Sequence, residues 1–255
     1  MQHFLNIVNS TRASTARKWR GTSSRPYATA YPAQSLLLFD REGCAQCRFV
    51  REALSELDLD AVIYPRPEGG QRYAEKMQAT VGTTVLPALF DPNSDTTLSG
   101  SAAIVDYLFT QYGQRQTPDA LRPEGKNLQQ SERVDALRKY AGTRACPAKA
   151  AKQLLILYGF ESSPFSRLVR ERLCELEIAY QLINLSKQKA SDMGLAAMHL
   201  SLGKYQPLPN TKRADFLAAH GRVQVPFLQD PNTDTALFDS KAILAYLDKT
   251  YALGL

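Results

Sequence analysis

The sequence has few of the residues that define secreted, metal-binding or membrane proteins. Its 255 residues include four cysteines and three histidines. Four unevenly spaced cysteines do not make the framework of a secreted disulfide-rich domain, which favours a reducing compartment. The histidines show no metal-ligand spacing, so no metal site is predicted. No apolar run approaches the roughly 20 residues needed to cross a bilayer, so we expect a soluble protein without a transmembrane segment.

Acidic residues are missing from the first 39 positions, although this segment contains five basic residues. Without these five, 26 of the 31 Lys and Arg residues remain and nearly cancel the 25 acidic residues, so nucleic-acid binding is not expected. The acid-free composition also occurs in organelle transit peptides. We therefore predict a basic N-terminal arm over residues 1–35 of a cytoplasmic protein. A chloroplast or mitochondrial location is the alternative if the arm is a transit peptide.

A similar sequence later in the chain indicates that the N-terminal arm is part of the folded protein and is not a cleaved targeting peptide. Residues 17–22, with the sequence RKWRGT, correspond to residues 138–143, with the sequence RKYAGT. A targeting peptide has no reason to reappear inside the chain. The arm is predicted to contain a short helix from Arg12 to Arg20 that ends at Gly21, with Trp19 packed on the body.

This similarity is part of a longer internal repeat, in which three further sequence blocks recur in the same order. The paired starting positions of these blocks are Arg48 and Arg167, Asp91 and Asp230, and Ser101 and Ser240. The offset is 119 residues at the first block and 139 at the other two, so the second copy contains an insertion of 20 residues. The insertion lies around positions 193–210 and is a candidate cover for a cleft.

Each copy alternates in the same order between strand and helix patterns. Short apolar runs predict buried strands, and Val50, Leu54 and Leu57 recur at the spacing of an amphipathic helix. The predicted fold class is α/β, with the order βαβαββα in residues 36–112 and again in residues 154–255. Residues 113–153 are predicted to be a linker with a short helix from Ser131 to Tyr140.

The motif with the clearest chemistry is Cys44-Ala45-Gln46-Cys47, which lies between an apolar strand and an amphipathic helix. Two thiols at this spacing can form a disulfide. The first thiol faces unpaired N–H groups at the start of the helix, and these groups favour a thiolate. A single C-x-x-C motif is only moderately specific, but its position between strand and helix indicates a redox site.

Pro87 and Pro226 occupy matching positions before the third apolar strand of each copy. A proline lacks the N–H that a central strand needs, so it belongs at the start or the edge of a strand. A cis bond before each proline would leave the preceding backbone free for a ligand. A trans bond at a strand edge is equally compatible with the residues.

These motifs together resemble the thioredoxin fold, and specifically the glutathione S-transferase N-terminal domain and the glutaredoxins. Two copies in one chain resemble tandem glutathione S-transferase N-terminal domain proteins of bacteria and plastids. The resemblance covers residues 36–112 and 154–251 and implies two tandem thioredoxin-like domains. An ordinary transferase continues into an all-helical C-terminal domain. Here the second half is another thioredoxin-like copy, so no such domain is expected.

The resemblance also implies roles for individual residues. Cys44 would be the nucleophile and Cys47 the resolving thiol, Pro87 and Pro226 would be cis-prolines, and glutathione would be the bound cofactor. An acid–serine pair would hold the γ-glutamyl group in the second copy, whereas the first copy has glycine in place of the acid. The implied glutathione-binding residues are Leu86, Pro87, Ser101, Val225, Pro226, Asp239 and Ser240.

Three functions are compatible with these assignments. The first is a glutathione-dependent thiol–disulfide oxidoreductase that uses Cys44 and Cys47 on a glutathionylated or disulfide-bonded substrate. The second is a non-catalytic glutathione-binding or assembly module. The third is a serine-type glutathione transferase in the second copy, where Ser163 replaces the first cysteine. Ser163 is also explained as a helix cap that is followed by proline. A homodimer is a possible assembly.

Overall fold

The computed structural model describes residues 1–24, 29–193 and 205–254. Both strands and helices follow the predicted order in each copy. The strands are β1 (Leu36–Asp40), β2 (Ala61–Pro65), β3 (Ala88–Asp91), β4 (Thr96–Ser99), β5 (Leu155–Gly159), β6 (Tyr180–Asn184), β7 (Phe227–Asp230) and β8 (Thr235–Phe238). The helices are α1 (Gln2–Ala16), α2 (Ala45–Glu56), α3 (Ala74–Val81), α4 (Ser101–Gln111), α5 (Gly125–Leu137), α6 (Pro164–Glu175), α7 (Lys212–His220) and α8 (Ser240–Tyr251).

The two copies share one eight-stranded sheet with the order β4-β3-β1-β2-β6-β5-β7-β8. Within each copy the first two strands are parallel, and the third and fourth strands form an antiparallel hairpin. β2 pairs antiparallel with β6, and Val62 lies opposite Gln181. The strand order is therefore symmetric about the β2–β6 pair. This confirms the α/β fold class with two βαβαββα units, and the described residues contain no all-helical domain.

The main hydrophobic core runs through both copies. Val50, Leu54 and Leu57 are fully buried, as the spacing of apolar residues in α2 predicts. Val169 and Leu173 of α6 and Leu176, directly after it, are buried in the same way, and all six side chains belong to one core cluster. Since burying a side chain of this size contributes about 1.5–3 kcal/mol, these helices are held to the sheet mainly by their apolar faces. No helix among the described residues is long and apolar enough to span a membrane.

The helices before the repeated segments RKWRGT and RKYAGT have boundaries that differ from the predictions. α1 ends at Ala16, so the predicted helix from Arg12 to Arg20 was wrong in both position and length. α5 begins at Gly125 and ends at Leu137 instead of spanning Ser131 to Tyr140. Both helices stop because the following Lys-aromatic pairs adopt positive φ values, which an α-helix does not allow.

The third strands follow the two prolines, as predicted, whereas the helix caps beyond them differ from the prediction. The third strands begin at Ala88 and Phe227, one residue beyond each proline. Serine before an apolar helical run predicts that Ser101 and Ser240 are helix caps, but they are the first helical residues of α4 and α8. The caps are Gly100 and Asp239, both at positive φ.

The two helices outside the repeats, α1 and α5, pack against the cysteine- or serine-bearing helix starts of the two copies. α1 precedes the first copy but contacts the second, and α5 precedes the second copy but contacts the first. In α1, Ser10 donates a hydrogen bond to the carbonyl of Pro164, 2.9 Å away at the start of α6. In α5, Ser131 donates to the carbonyl of Ala45, 2.8 Å away at the start of α2. α1 contacts α6 and α5 contacts α2, so α1 covers the second copy and α5 covers the first. The N-terminal segment is thus packed into the body of the protein.

A buried ionic cluster joins the two copies. Arg51 lies 3.4 Å from Glu42 and 3.0 Å from Glu161. Its counterpart Arg170 contacts the same two glutamates, with 2.8 Å between its Nη2 and Glu161 Oε2. All four side chains are at most 4% exposed. Each arginine therefore pairs with carboxylates from both copies, which offsets part of the cost of burying these charges.

Candidate functional site

The two cysteines lie at the start of α2, as the sequence indicated. Cys44 caps the helix, and its sulfur accepts a hydrogen bond from the backbone N–H of Cys47 at 3.4 Å. Cys44 is partly exposed, whereas Cys47 is fully buried, and no disulfide joins them. Cys44 is thus the more accessible of the two sulfurs.

The two thiols have opposite acidities. Hydrogen bonding from the Cys47 side chain, helped by the Cys47 N–H, lowers the pKa of Cys44 to about 6, against the effect of burial. Burial raises the pKa of Cys47 well above its ordinary value, and its bond to Cys44 raises it further. At neutral pH the exposed sulfur is therefore mostly thiolate and the buried one is a thiol, which suits Cys44 to nucleophilic attack.

The corner beside these cysteines is built by the segment before β3. The Leu86–Pro87 peptide bond is cis, one of the two alternatives that the sequence left open. Leu86 lies outside the paired strand, and none of the backbone–backbone hydrogen bonds found among the described residues involves its amide or carbonyl. Leu86 also lines a polar pocket of about 320 Å³ that contains Arg41, Arg66 and Glu68. An extended backbone could pair with Leu86 while a carboxylate is attracted to the arginines.

The start of α4 completes this corner. Gly100 caps the helix without any side-chain hydrogen bond, and Ser101 donates its hydroxyl proton to Gln46 Oε1 in α2. The first N–H groups of α4 thus have no side-chain cap. Such a helix start attracts a negative charge.

In the second copy, Ser163 caps α6 and Pro164 occupies the first turn. Ser163 Oγ accepts hydrogen bonds from the N–H of Ser166 at 3.2 Å and from its hydroxyl at 3.0 Å. Ser163 is 2% exposed. These contacts are those of a helix cap, and they leave the hydroxyl proton of Ser163 available to a further acceptor.

The segment before β7 repeats the first corner. The Val225–Pro226 bond is cis, and Val225 has no backbone–backbone hydrogen bond among those of the described residues. Asp239 caps α8 by accepting from the N–H groups of Lys241 at 2.8 Å and Ala242 at 3.2 Å.

An unexpected neighbour lies at the start of α8. His3 Nε2, in α1, is 3.3 Å from Ser240 Oγ, within hydrogen-bonding distance. Ser240 is only 1% exposed. The N-terminal helix therefore reaches the serine that the sequence had assigned to a glutathione contact.

A cavity of about 1060 Å³ occupies the corner of the second copy. The predicted residues Ser163, Val225, Pro226, Asp239 and Ser240 all line it. Its remaining walls include side chains that the sequence did not single out for a site. The apolar ones are Ile7, Trp19, Phe160, Phe165 and Val223. For the N-terminal side of the cavity, the sequence signal was the repeat of RKWRGT, which predicted that Trp19 packs on the body; Trp19 lines the cavity but remains 42% exposed.

The insertion near positions 193–210 was a candidate cover for this cleft. Met193 lines the cavity, but residues 194–204 lie outside the described part of the chain. No cluster of three or more potential metal ligands occurs among the described residues.

Comparisons with known proteins identify the family. Residues 38–116 and 157–254 match the glutathione S-transferase N-terminal domain family, so the chain belongs to that family and contains its domain twice. A search of curated proteins gave no match. Among solved structures, the chain is similar to TDR1 of Leishmania, described as a unique trimeric glutathione transferase. The match has 14% identity and a TM-score of 0.27, and it covers 88% of this chain and 68% of that one.

Proposed function

We propose that the first copy is a glutathione-dependent thiol–disulfide oxidoreductase centred on Cys44. The observation that carries the proposal is the pairing of a partly exposed sulfur, whose pKa is lowered to about 6, with a buried thiol at the same helix start. A structural cysteine pair would have no reason to make one sulfur acidic and accessible. Membership of the glutathione S-transferase N-terminal domain family supports glutathione as the small thiol.

The reaction would proceed by two thiol–disulfide exchanges. The Cys44 thiolate attacks the glutathione sulfur of a glutathionylated substrate, forms a mixed disulfide with glutathione and releases the substrate thiolate. A second glutathione thiolate then attacks this mixed disulfide, which yields oxidised glutathione and restores the Cys44 thiolate. Alternatively, Cys47 loses its proton, attacks Cys44 and releases glutathione, leaving a Cys44–Cys47 disulfide. In the first route glutathione supplies the two electrons. In the second route the two cysteines supply them, and two further glutathione molecules then reduce the Cys44–Cys47 disulfide by successive exchanges and leave as oxidised glutathione.

The polar corner offers partners for each part of glutathione. The backbone of Leu86 could pair with the cysteinyl residue, and the uncapped start of α4 at Ser101 could hold the γ-glutamyl carboxylate. Arg41 and Arg66 line the adjacent pocket and would attract the glycyl carboxylate. Pro87 would keep the Leu86 backbone turned towards the ligand.

The proposal is tested on the full chain with a small glutathione mixed disulfide as substrate. We expect glutathione-dependent reduction by the native protein and its loss in Cys44→Ser. Cys47→Ser should retain reduction, since glutathione can resolve the mixed disulfide. Cys146→Ser, in the connector, is the matched control and should behave as the native chain does.

Two results would count against this assignment. Full activity of Cys44→Ser would exclude this thiol as the nucleophile. Glutathione binding by the native chain without any disulfide reduction would instead favour a non-catalytic binding module. Isothermal titration with glutathione distinguishes that outcome from a complete absence of binding.

A further inference from the structure

The loop that leads to Cys44 is bound by a side chain of the second copy. This loop, residues 41–43, joins β1 to α2 and ends directly before the cysteine. We propose that Arg170, on α6 of the second copy, is a positioning residue for the thiol of Cys44 and acts through Glu42. The inference rests on the function proposed for the first copy. It gives the second copy a part in that reaction, although its own helix start has Ser163 in place of a thiol.

Glu42 is the residue of the loop that contacts α6. One of its carboxylate oxygens accepts a hydrogen bond from Arg170 Nε, and Arg51 Nε of its own copy lies 3.4 Å from the same oxygen. Burial opposes ionisation, but attraction to the two arginines lowers the pKa of Glu42 to about 2. The carboxylate is therefore charged at neutral pH and bound to the second copy.

The guanidinium of Arg170 is fixed by further acceptors in its own copy. Nη1 donates to the carbonyl of Phe160 at 3.3 Å, and Nη2 donates to the carbonyl of Glu161 at 3.1 Å. Nη2 also lies 2.8 Å from Glu161 Oε2. Because the five N–H donors of arginine form a rigid planar fork, these contacts also fix the position of Nε. Glu42 is thus bound to a group that the second copy holds in place.

The backbone of the loop also has partners in both copies. Arg51 donates to the carbonyls of Arg41 and Glu42, each at 3.2 Å. On α6, burial raises the pKa of the Cys174 thiol well above its ordinary value, and a hydrogen bond from the Glu42 backbone acts in the opposite direction. Both the side chain and the backbone of Glu42 therefore contact the second copy.

Gly43 is the single residue between Glu42 and Cys44, and it has no free space beside it. A Cβ added at Gly43 would lie 2.0 Å from Thr143 Oγ1, and this hydroxyl donates to the Gly43 carbonyl at 3.3 Å. Gly43 thus packs directly on the segment that connects the two copies. Since close-packed segments transmit strain, a shift of Glu42 would be passed on to Cys44.

The reactivity of Cys44 depends on contacts that such a shift would change. Its sulfur lies 3.4 Å from the backbone nitrogen of Cys47. Hydrogen bonding from the Cys47 side chain makes the largest contribution to the low pKa of Cys44, about 6. Hydrogen bonds weaken steeply as their geometry departs from the optimum. Displacement of Cys44 would therefore raise its pKa and reduce the thiolate fraction near pH 6.

Charge and position predict opposite effects for one substitution, Glu42→Ala. Removing the negative charge of Glu42 would by itself favour the nearby thiolate and lower the pKa of Cys44. Losing the contact between Glu42 and Arg170 would release the loop and raise that pKa. An upward shift in Glu42→Ala therefore identifies the lost contact as its cause. Glu42→Gln removes the charge but keeps an oxygen that can accept a hydrogen bond from Arg170.

The test is the pH profile of Cys44 alkylation by iodoacetamide, followed by mass spectrometry on the full chain. We expect the midpoint of the profile to rise by about one pH unit in Glu42→Ala, which slows labelling at pH 6 roughly fivefold. Glu42→Gln should keep the native midpoint or lower it slightly. The matched control is Glu161→Ala, which removes a carboxylate from the same two arginines but on the loop of the second copy. Its midpoint should equal that of the native chain.

Urea unfolding establishes that each variant is folded under the labelling conditions. If Glu42→Ala does not fold, Arg170→Lys takes its place. Lysine keeps the positive charge, but its single nitrogen has no fork to bridge Glu42 and the carbonyls of the second copy. The midpoint should therefore rise in Arg170→Lys as well.

Three results would overturn the positioning role. These are an unchanged or lowered midpoint in Glu42→Ala, an equal rise in Glu161→Ala, and a native midpoint in Arg170→Lys. Reduction of a glutathione mixed disulfide by the native chain is measured separately. Its absence would contradict the oxidoreductase proposed for the first copy, and the midpoints of the variants would still decide whether Arg170 positions Cys44.

Discussion

At matching helix starts, the first copy has Cys44 and Cys47 and the second has Ser163 and Ser166. The backbones agree, because both segments cap a helix and both lie near a cis-proline. The side chains that surround the two helix starts differ. One corner has a small polar pocket lined by arginines, whereas the other has a large, mainly apolar cavity lined in part by Ile7 and Thr11 of α1. The comparison indicates that the fold fixes where a ligand lies, and that the side chains around the corner decide which ligand it is.

The buried ionic cluster contains side chains of both copies, and breaking it should have the largest effect. Arg170→Ala leaves Glu42 and Glu161 buried without one of their cations. We expect the free energy of unfolding to fall by about 3–5 kcal/mol. Arg51→Ala should cost a similar amount, measured by urea unfolding.

The control for this prediction is an exposed ion pair. In the Arg122–Asp119 pair the two side chains are 51% and 99% exposed. Arg122→Ala should change the free energy of unfolding by no more than about 0.5 kcal/mol. A large loss in one arginine variant of the cluster and none in the other would show that the cluster is not symmetric in energy.

Moving the two cysteines to the second copy tests whether a C-x-x-C motif at a helix start is sufficient for glutathione-dependent disulfide reduction. In a Cys44→Ser background, the double substitution Ser163→Cys and Ser166→Cys recreates the motif beneath α1. We expect the pair to form a disulfide, as measured by thiol titration. Turnover with glutathione should be lower than in the native chain by roughly a hundredfold, since the substrate would be poorly placed. Turnover comparable with that of the native protein would mean that the surroundings contribute little.

The pH dependence of Cys44 tests why the first corner is reactive. Cys44 is a thiolate above pH about 6, so its alkylation should slow as the pH falls through that value. The Cys47 side chain makes the largest contribution to this low pKa. Cys47→Ala should therefore raise the pKa and slow alkylation at neutral pH by roughly tenfold.

This prediction is measured by iodoacetamide labelling of Cys44 followed by mass spectrometry across the pH range. Cys146→Ser serves as the control. An unchanged pH profile in Cys47→Ala would assign the acidity of Cys44 to the helix start and not to its neighbour.

Substitutions at the helix caps Asp239 and Gly100 should have the smallest effect on stability. Asp239→Gly introduces the residue of the first copy, removes two hydrogen bonds to α8 and relieves a positive φ of 76°. The two effects partly cancel, so we expect a loss of roughly 0.5 kcal/mol in the free energy of unfolding. Gly100→Asp should cause a change of similar size and opposite sign, because it adds a helix cap but places a side chain at a strained φ of 87°, although an added Cβ meets no atom within 4 Å. Changes above about 2 kcal/mol in either variant would indicate a further role for the cap.

Local patterns in the sequence were sufficient for much of the fold. The apolar spacing of α2 and α6, the left-handed glycines Gly82 and Gly221 after α3 and α7, and the proline positions are all determined by neighbouring residues. The position of Cys44 at a helix start could be predicted for the same reason. The lowered pKa of its thiol follows from contacts within three residues.

Features that depend on distant contacts could not be predicted. The pairing of β2 with β6 has no local signature, because each strand by itself has the pattern of any strand at the edge of a sheet. The contact of Ser10 with Pro164 joins residues 154 positions apart. The boundary of α1 was missed because positive φ at Lys18 and Trp19 is unusual for such residues.

The antiparallel pairing of β2 and β6 has a consequence for how the protein loses its structure. Either half, once melted, would expose the strand edge and the apolar face of the other. Leu155 and Leu57, from different halves, belong to one core cluster. A chain joined in this way should melt in a single transition, with calorimetric and van't Hoff enthalpies that agree, in contrast to independent modules linked by a tether.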